Sequence, residues 1–108
     1  TLNGLHLAQQ GNLFVVGNSG LIIKTPQSGP ASWSSMESGT TNNLNRVFFL
    51  TSTEGWAVGN SGTILYTSNG TSWSSQESGV SVNLRGVQAV SGTAYTAGDQ
   101  GKVLKRSL

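Results

Sequence analysis

Few side chains in this sequence can do acid–base, ionic or metal chemistry: three Lys, three Arg, four carboxylates and one His, with no Cys. Glu37, Glu54, Glu77 and Asp99 are scattered, and Glu37 and Glu77 fall at the same place in two copies of a repeat rather than facing each other. Glycoside hydrolysis needs two carboxyls within roughly 10 Å across a cleft, and no nucleophile–base pair or phosphate-binding loop is present either. His6 stands without Asp or Glu at ligand spacing, a poor start for a metal site. The pattern predicts no catalytic residue, no metal and no cofactor, so the chemistry left to the chain is recognition. Arg46 and Arg85 are long planar cations suited to contact an acidic partner or a carboxylate. Solvated charges lining a wet channel are the alternative reading of the same two residues.

The charge balance narrows the partners. Formal net charge is +2, and Lys102, Lys105 and Arg106 crowd into the last seven positions, leaving the rest nearly neutral. Nucleic-acid binding needs a patch that neutralises several phosphates, and none is expected. No apolar run approaches the roughly 18 residues of a membrane span, and residues 1–16 lack the basic start and apolar stretch of a signal peptide. Low charge, no Cys and abundant Ser, Thr and Asn lean towards an exported compartment, whether periplasmic, lumenal or extracellular.

The elements that position these residues come from an internal repeat. Gly17-Asn18-Ser19-Gly20 followed by Ser32-Trp33-Ser34-Ser35 returns as Gly59-Asn60-Ser61-Gly62 followed by Ser72-Trp73-Ser74-Ser75, a period near 40 residues. A third copy carries Gly98-Asp99-Gln100-Gly101. Each copy reads as short strands. The first strands are Leu2 to Leu7, Leu44 to Phe49 and Leu84 to Ala89, with apolar residues at every second place. The second strands are Leu13 to Val16, Gly55 to Val58 and Ala94 to Ala97, and Phe14, Trp56 and Tyr95 share one position in them that reads as core. The Gly-Asn-Ser-Gly segments are tight hairpins, since Gly, then Asn or Asp, best tolerates positive φ. Third strands follow at Leu21 to Lys24, Thr63 to Tyr66 and Lys102 to Lys105. A fourth, Ser32 to Met36 and Ser72 to Gln76, occurs twice.

Four antiparallel strands per repeat of this length, without a helix signal, predict an all-β, partial β-propeller of about three blades, approximately 1–40, 41–80 and 81–108, in one domain spanning 1–108. The second-to-third turns and the fourth-to-first links then share one polar rim. That rim presents Asn60 and Asp99 from the turns, Asn43 and Asn83 from the links, and Arg46 and Arg85 at the starts of inner strands. Thr67-Ser68-Asn69-Gly70-Thr71-Ser72-Trp73 is similar to the Asp-box turn, with Asn69 where the box has Asp. Together with the run from Gly55 to Leu65, the chain resembles the photosystem II assembly-factor-like BNR/Asp-box β-propellers. That resemblance implies a non-enzymatic scaffold that binds another protein through its rim, with Trp33 and Trp73 as anchors under their turns. Sialidases also carry Asp boxes but need an arginine cluster with acidic and Tyr catalytic groups. A glycan-binding, lectin-like propeller with one sugar pocket per blade is the alternative function, and a glycoside hydrolase a third.

Eleven strands make two blades and three quarters of another, which does not close a ring. Exposed blade faces would amount to roughly 300 Å² each, large for a monomer. The expectation is a homodimer, two wedges joined head to tail as a six-bladed ring; the competing reading is that the chain is a fragment of a longer propeller. The third strand of the last blade, Lys102 to Arg106, becomes an edge whose cations discourage a foreign strand from pairing. Alternatively, the fourth strand of another subunit sits there.

Overall fold

A sequence this rich in Gly, Ser, Thr and Asn builds short strands joined by tight turns. The computed structural model describes residues 2–7, 12–26, 34–51, 54–69, 72–76, 79–90, 93–101 and 103–107. The strands among them are β1 (Leu2–Leu7), β2 (Asn12–Gly17), β3 (Ile22–Pro26) and β4 (Ser34–Met36) in the first repeat. The second repeat holds β5 (Leu44–Phe49), β6 (Gly55–Gly59), β7 (Ile64–Thr67) and β8 (Ser74–Gln76). The third holds β9 (Leu84–Val90), β10 (Thr93–Gly98) and β11 (Val103–Ser107). Each repeat is one antiparallel sheet in chain order, with four, four and three strands. β1 lies beside β5 and β5 beside β9, so the sheets fan out from their first strands as blades of a partial β-propeller.

Third strands begin one residue later than the sequence pattern places them. Leu21 and Thr63 close the turn instead: their carbonyls accept the Gly17 and Gly59 N–H groups at 3.0 Å. The fourth strands are shorter than expected, and Trp73 precedes β8 rather than lying within it. Trp33 and Lys102 fall outside the described residues.

The core lies between blades, not within them. Alternation along each strand gives every blade one face towards its predecessor and one towards its successor. At the first interface Phe14, Val16 and Ile22 meet Val47, Phe49, Ala57 and Leu65. Phe14 and Phe49 stack with ring centroids 3.9 Å apart, and Trp73 stands edge-on to Phe49 at 5.8 Å. At the second interface Trp56 packs on Ala89 and Ala94, flanked by Phe48, Ile64, Tyr66 and Val87. The equivalence of Phe14, Trp56 and Tyr95 as core residues holds for the first two alone, because Tyr95 is 41% exposed. It lies on the face of the third blade that points away from the second.

Candidate functional site

The rim is built from the turns at Asn18–Gly20, Asn60–Gly62 and Asp99–Gly101. Positive φ was expected on Gly or on Asn and Asp. It does fall on Gly20 and Gly62, but the residue before each takes it as well, Ser19 (φ 60°) and Ser61 (59°), as does Gln100 (64°), rather than the Asn or Asp. The left-handed conformation turns the N–H of the middle residue out of its own blade, where the next blade captures it. Ser19 N–H donates to Asn43 Oδ1 at 2.9 Å, and Ser61 N–H donates to Asn83 Oδ1 at 3.1 Å. The carbonyls of the same two Asn residues accept the N–H groups of Asn60 and Asp99, both at 2.9 Å. Asn43 and Asn83 each therefore hold two successive hairpins.

A second strap crosses at the start of each inner strand. Pairing between first and second strands skips Asn3, Asn45 and Arg85, one bulged residue per blade, and a bulge re-aims its side chain. Asn3 Nδ2 donates to Asn18 Oδ1 at 2.9 Å and to the Leu44 carbonyl of the next blade at 3.0 Å. Asn45 repeats this with Asn60 Oδ1 at 3.0 Å and the Leu84 carbonyl at 2.8 Å. The third blade replaces the Asn–Asn pair by charges: Arg85 Nε donates to Asp99 Oδ1 at 2.5 Å and Nη2 to Oδ2 at 3.3 Å. This exposed pair, chiefly through its hydrogen bonds, holds the Asp99 carboxyl below the usual carboxylate range and raises the guanidinium.

Of the six rim residues singled out by sequence, the structure thus brings Asn43, Asn83, Asn60, Asp99 and Arg85 together in contacts that join or brace blades. Arg46 differs. It is exposed, and Nη1 reaches only the Asn3 and Asn45 carbonyls, each at 3.4 Å. No carboxylate among the described residues pairs with it.

The fold as a whole is similar to that of a solved structure. A solved structure of YCF48 bound to D1 peptide matches 97% of this chain with a TM-score of 0.82, at 22% sequence identity. The likeness is one of fold. This chain spans 36% of that one. No protein-family model and no curated protein matches the sequence.

Two further contacts complete the picture of the blade joints. His6 Nδ1 accepts the Phe49 N–H across the first joint at 3.1 Å, and its ring lies 4.9 Å from that of Phe48. Burial lowers the His6 pKa, which keeps the ring neutral and able to accept. Within the second blade Tyr66 O–H donates to Glu54 Oε2 at 2.7 Å, which raises the phenol pKa. Among the described residues no group of three or more His, Asp or Glu is placed to hold a metal.

The inter-blade straps were not anticipated from sequence, and the signal that was present marks the contact within each blade that aims them. Aligned repeats read Asn3–Asn18, Asn45–Asn60 and Arg85–Asp99. That exchange of two complementary residues together marks a side-chain contact.

Proposed function

We propose that this chain is a non-enzymatic, protein-binding β-propeller module whose first partner is a second copy of itself, docked head to tail as a six-bladed ring. One observation carries the reading: register positions buried between blades are exposed on the end faces. Val103 is 69% exposed where its counterpart Ile22 is fully buried, and Leu5 is 68% exposed where its counterpart Val47 is 5% exposed. Val15, beside Leu5, stays buried, so the area to be covered centres on Leu5 at one end and on Tyr95, Ala97 and Val103 at the other. A second copy supplies both missing neighbours, and symmetric closure satisfies both ends at once. Arg85 takes the bulge position from which Asn3 and Asn45 reach the next blade, and in the ring it faces the Leu2 carbonyl of the second copy.

The ring brings two copies of Arg46 to the inner strands, each an exposed cation without a carboxylate partner among the described residues. We assign Arg46 the contact to an acidic group of a further protein partner, since a guanidinium matches a carboxylate in two-point geometry. That the YCF48 structure holds a peptide on a similar fold supports a polypeptide as the ligand class.

Sedimentation velocity tests the assembly. The 11.2 kDa chain is expected to sediment as a dimer, and Tyr95→Arg to sediment as a folded monomer. A wild-type chain that stays monomeric at tens of micromolar sinks the ring. Arg46→Ala is expected to weaken capture of the bound protein partner, and saturable sugar binding on a glycan array with one site per blade would overturn the protein-binding reading.

A further inference from the structure

Two Asn-Gly pairs occur in the sequence, Asn3-Gly4 and Asn69-Gly70. Such pairs are chemically unstable, because glycine has no Cβ to keep its nitrogen from swinging against the preceding side-chain amide. At the first blade joint the pair arises from two structural demands that meet in adjacent residues. Asn3 is the bulged residue that straps the first blade to the second, its Nδ2 donating to Asn18 Oδ1 at 2.9 Å and to the Leu44 carbonyl at 3.0 Å. Gly4 lets the second blade approach: a Cβ there would stand 2.7 Å from the Asn45 carbonyl oxygen and 3.0 Å from Arg46 Cα. The later blades separate the two demands, with Asn45 followed by Arg46 and Arg85 followed by Gly86.

The closed joint holds this pair unreactive. The Asn3 amide donates two hydrogen bonds, and Gly4 lies in register with Val16 in the ladder between β1 and β2. Cyclisation requires the Gly4 nitrogen to leave that ladder and meet Asn3 Cγ. It therefore proceeds from the fraction of molecules in which the joint has opened locally.

We propose that Asn3 is a site of spontaneous deamidation that turns a transient opening of the first blade joint into a permanent loosening. The Gly4 nitrogen gives up its proton to solvent and attacks Asn3 Cγ, the Cγ–Nδ2 bond breaks, and Nδ2 leaves as ammonia after taking a proton back from solvent. Water then opens the cyclic imide at one carbonyl or the other, giving Asp or isoAsp. The balance is one water consumed, one ammonium released and one neutral amide turned into a carboxylate, with no oxidant or reductant. An Asp carboxylate has no hydrogen to give the Leu44 carbonyl, a main-chain group of a fully buried residue in the next blade. An isoAsp also lengthens the main chain of β1 by one carbon beside Gly4, where the blades approach closely. The same reaction at Asn69 has a different result. Asn69 Oδ1 accepts hydrogen bonds, from Ser72 N–H at 2.9 Å and Thr67 O–H at 3.2 Å, and the oxygen of an Asp carboxylate accepts them equally.

The test incubates the full chain at neutral to mildly alkaline pH and follows Asp and isoAsp at each Asn by peptide mapping with mass spectrometry. Asn3 is expected to convert slowly in the native protein and faster in urea below the unfolding midpoint. In Asn18→Ala, which lacks one bond at Asn3, conversion is expected to be about fivefold faster, the effect of one net hydrogen bond on the opening equilibrium. Asn3→Asp, which fixes the product by mutation, is expected to lower the folding equilibrium constant about tenfold or more at one protein concentration, whereas Asn69→Asp matches the wild type. If Asn3→Asp does not fold, partly aged wild type gives the same reading: molecules deamidated at residue 3 are expected to be digested by pulse proteolysis at urea concentrations where unmodified molecules survive. Conversion of Asn3 no faster than that of Asn45, a rate unchanged by Asn18→Ala, or deamidated molecules as stable as unmodified ones would each overturn the proposal.

Discussion

Replacing Asn45 by Ala removes two hydrogen bonds at once, to the Leu84 carbonyl at 2.8 Å and to Asn60 Oδ1 at 3.0 Å. A net contribution of about 1 kcal/mol per bond puts the loss near 2 kcal/mol. Leu84 is fully buried, and a buried carbonyl lone pair left without its donor raises the cost towards about 3 kcal/mol. Asn60→Ala removes only the second bond and is expected to cost about 0.5–1.5 kcal/mol. The difference between the two variants therefore isolates the strap between blades. With a urea m-value of ~1–2 kcal/mol/M for a chain of this size, Asn45→Ala lowers the unfolding midpoint by roughly 1–2 M. The measurement is made at one fixed protein concentration, because self-association adds concentration-dependent stability. Asn45→Asp sharpens the comparison: it keeps the shape but turns two donated bonds into contacts between acceptors, so it is expected to be at least as damaging as Ala. If Asn45→Ala costs no more than Asn60→Ala, or if Asn45→Asp is neutral, the bulged residue does not join the blades and the reasoning fails.

Two further outcomes follow from the same joints. His6 accepts the Phe49 N–H as a neutral ring, and burial sets its folded pKa below that of the unfolded chain. The unfolded state thus binds the proton first, and the contribution is fully present above about pH 6.5 and lost as pH falls through the folded value. The stability difference between wild type and His6→Gln, followed by denaturant titration from neutral pH downward, is expected to shrink with falling pH, and a constant difference refutes the assignment. Gly59 has an extended φ of −162°, yet a Cβ there would stand 2.0 Å from the Asn43 carbonyl oxygen. Gly59→Ala is expected to cost about 2–3 kcal/mol or more through displaced backbone, read as a lowered thermal midpoint. An unchanged midpoint would show that the link is free to move.

Much of the blade architecture can be read from the repeat. The inner and second strands fall where alternation of apolar residues and turn chemistry place them, because both signals are local and occur three times. Boundaries of the third and fourth strands shift by a residue or two, since Leu21 and Thr63 serve the turns with their carbonyls rather than pairing in the sheet. The candidate site was read at the level of residues but not of roles. Asn43, Asn60 and Asn83 appear in sequence as free polar side chains on a rim, whereas hydrogen bonds between successive turns and links occupy them. Composition marks Arg46 and Arg85 as equals. Among the described residues only Arg85 has a carboxylate within reach, because Asp99 begins the turn of its own blade.

The sequence by itself determined the repeat, the strand order and the position of the aromatics, since each depends on residue type and short spacing. Only the tertiary structure decided which equivalent positions are covered. Phe14, Trp56 and Tyr95 share one register, but the first two are buried by a following blade and the third is not. The physical reason is that a blade buries its faces against its neighbours, so what a residue does depends on the sheet beside it as well as on its own place in the repeat.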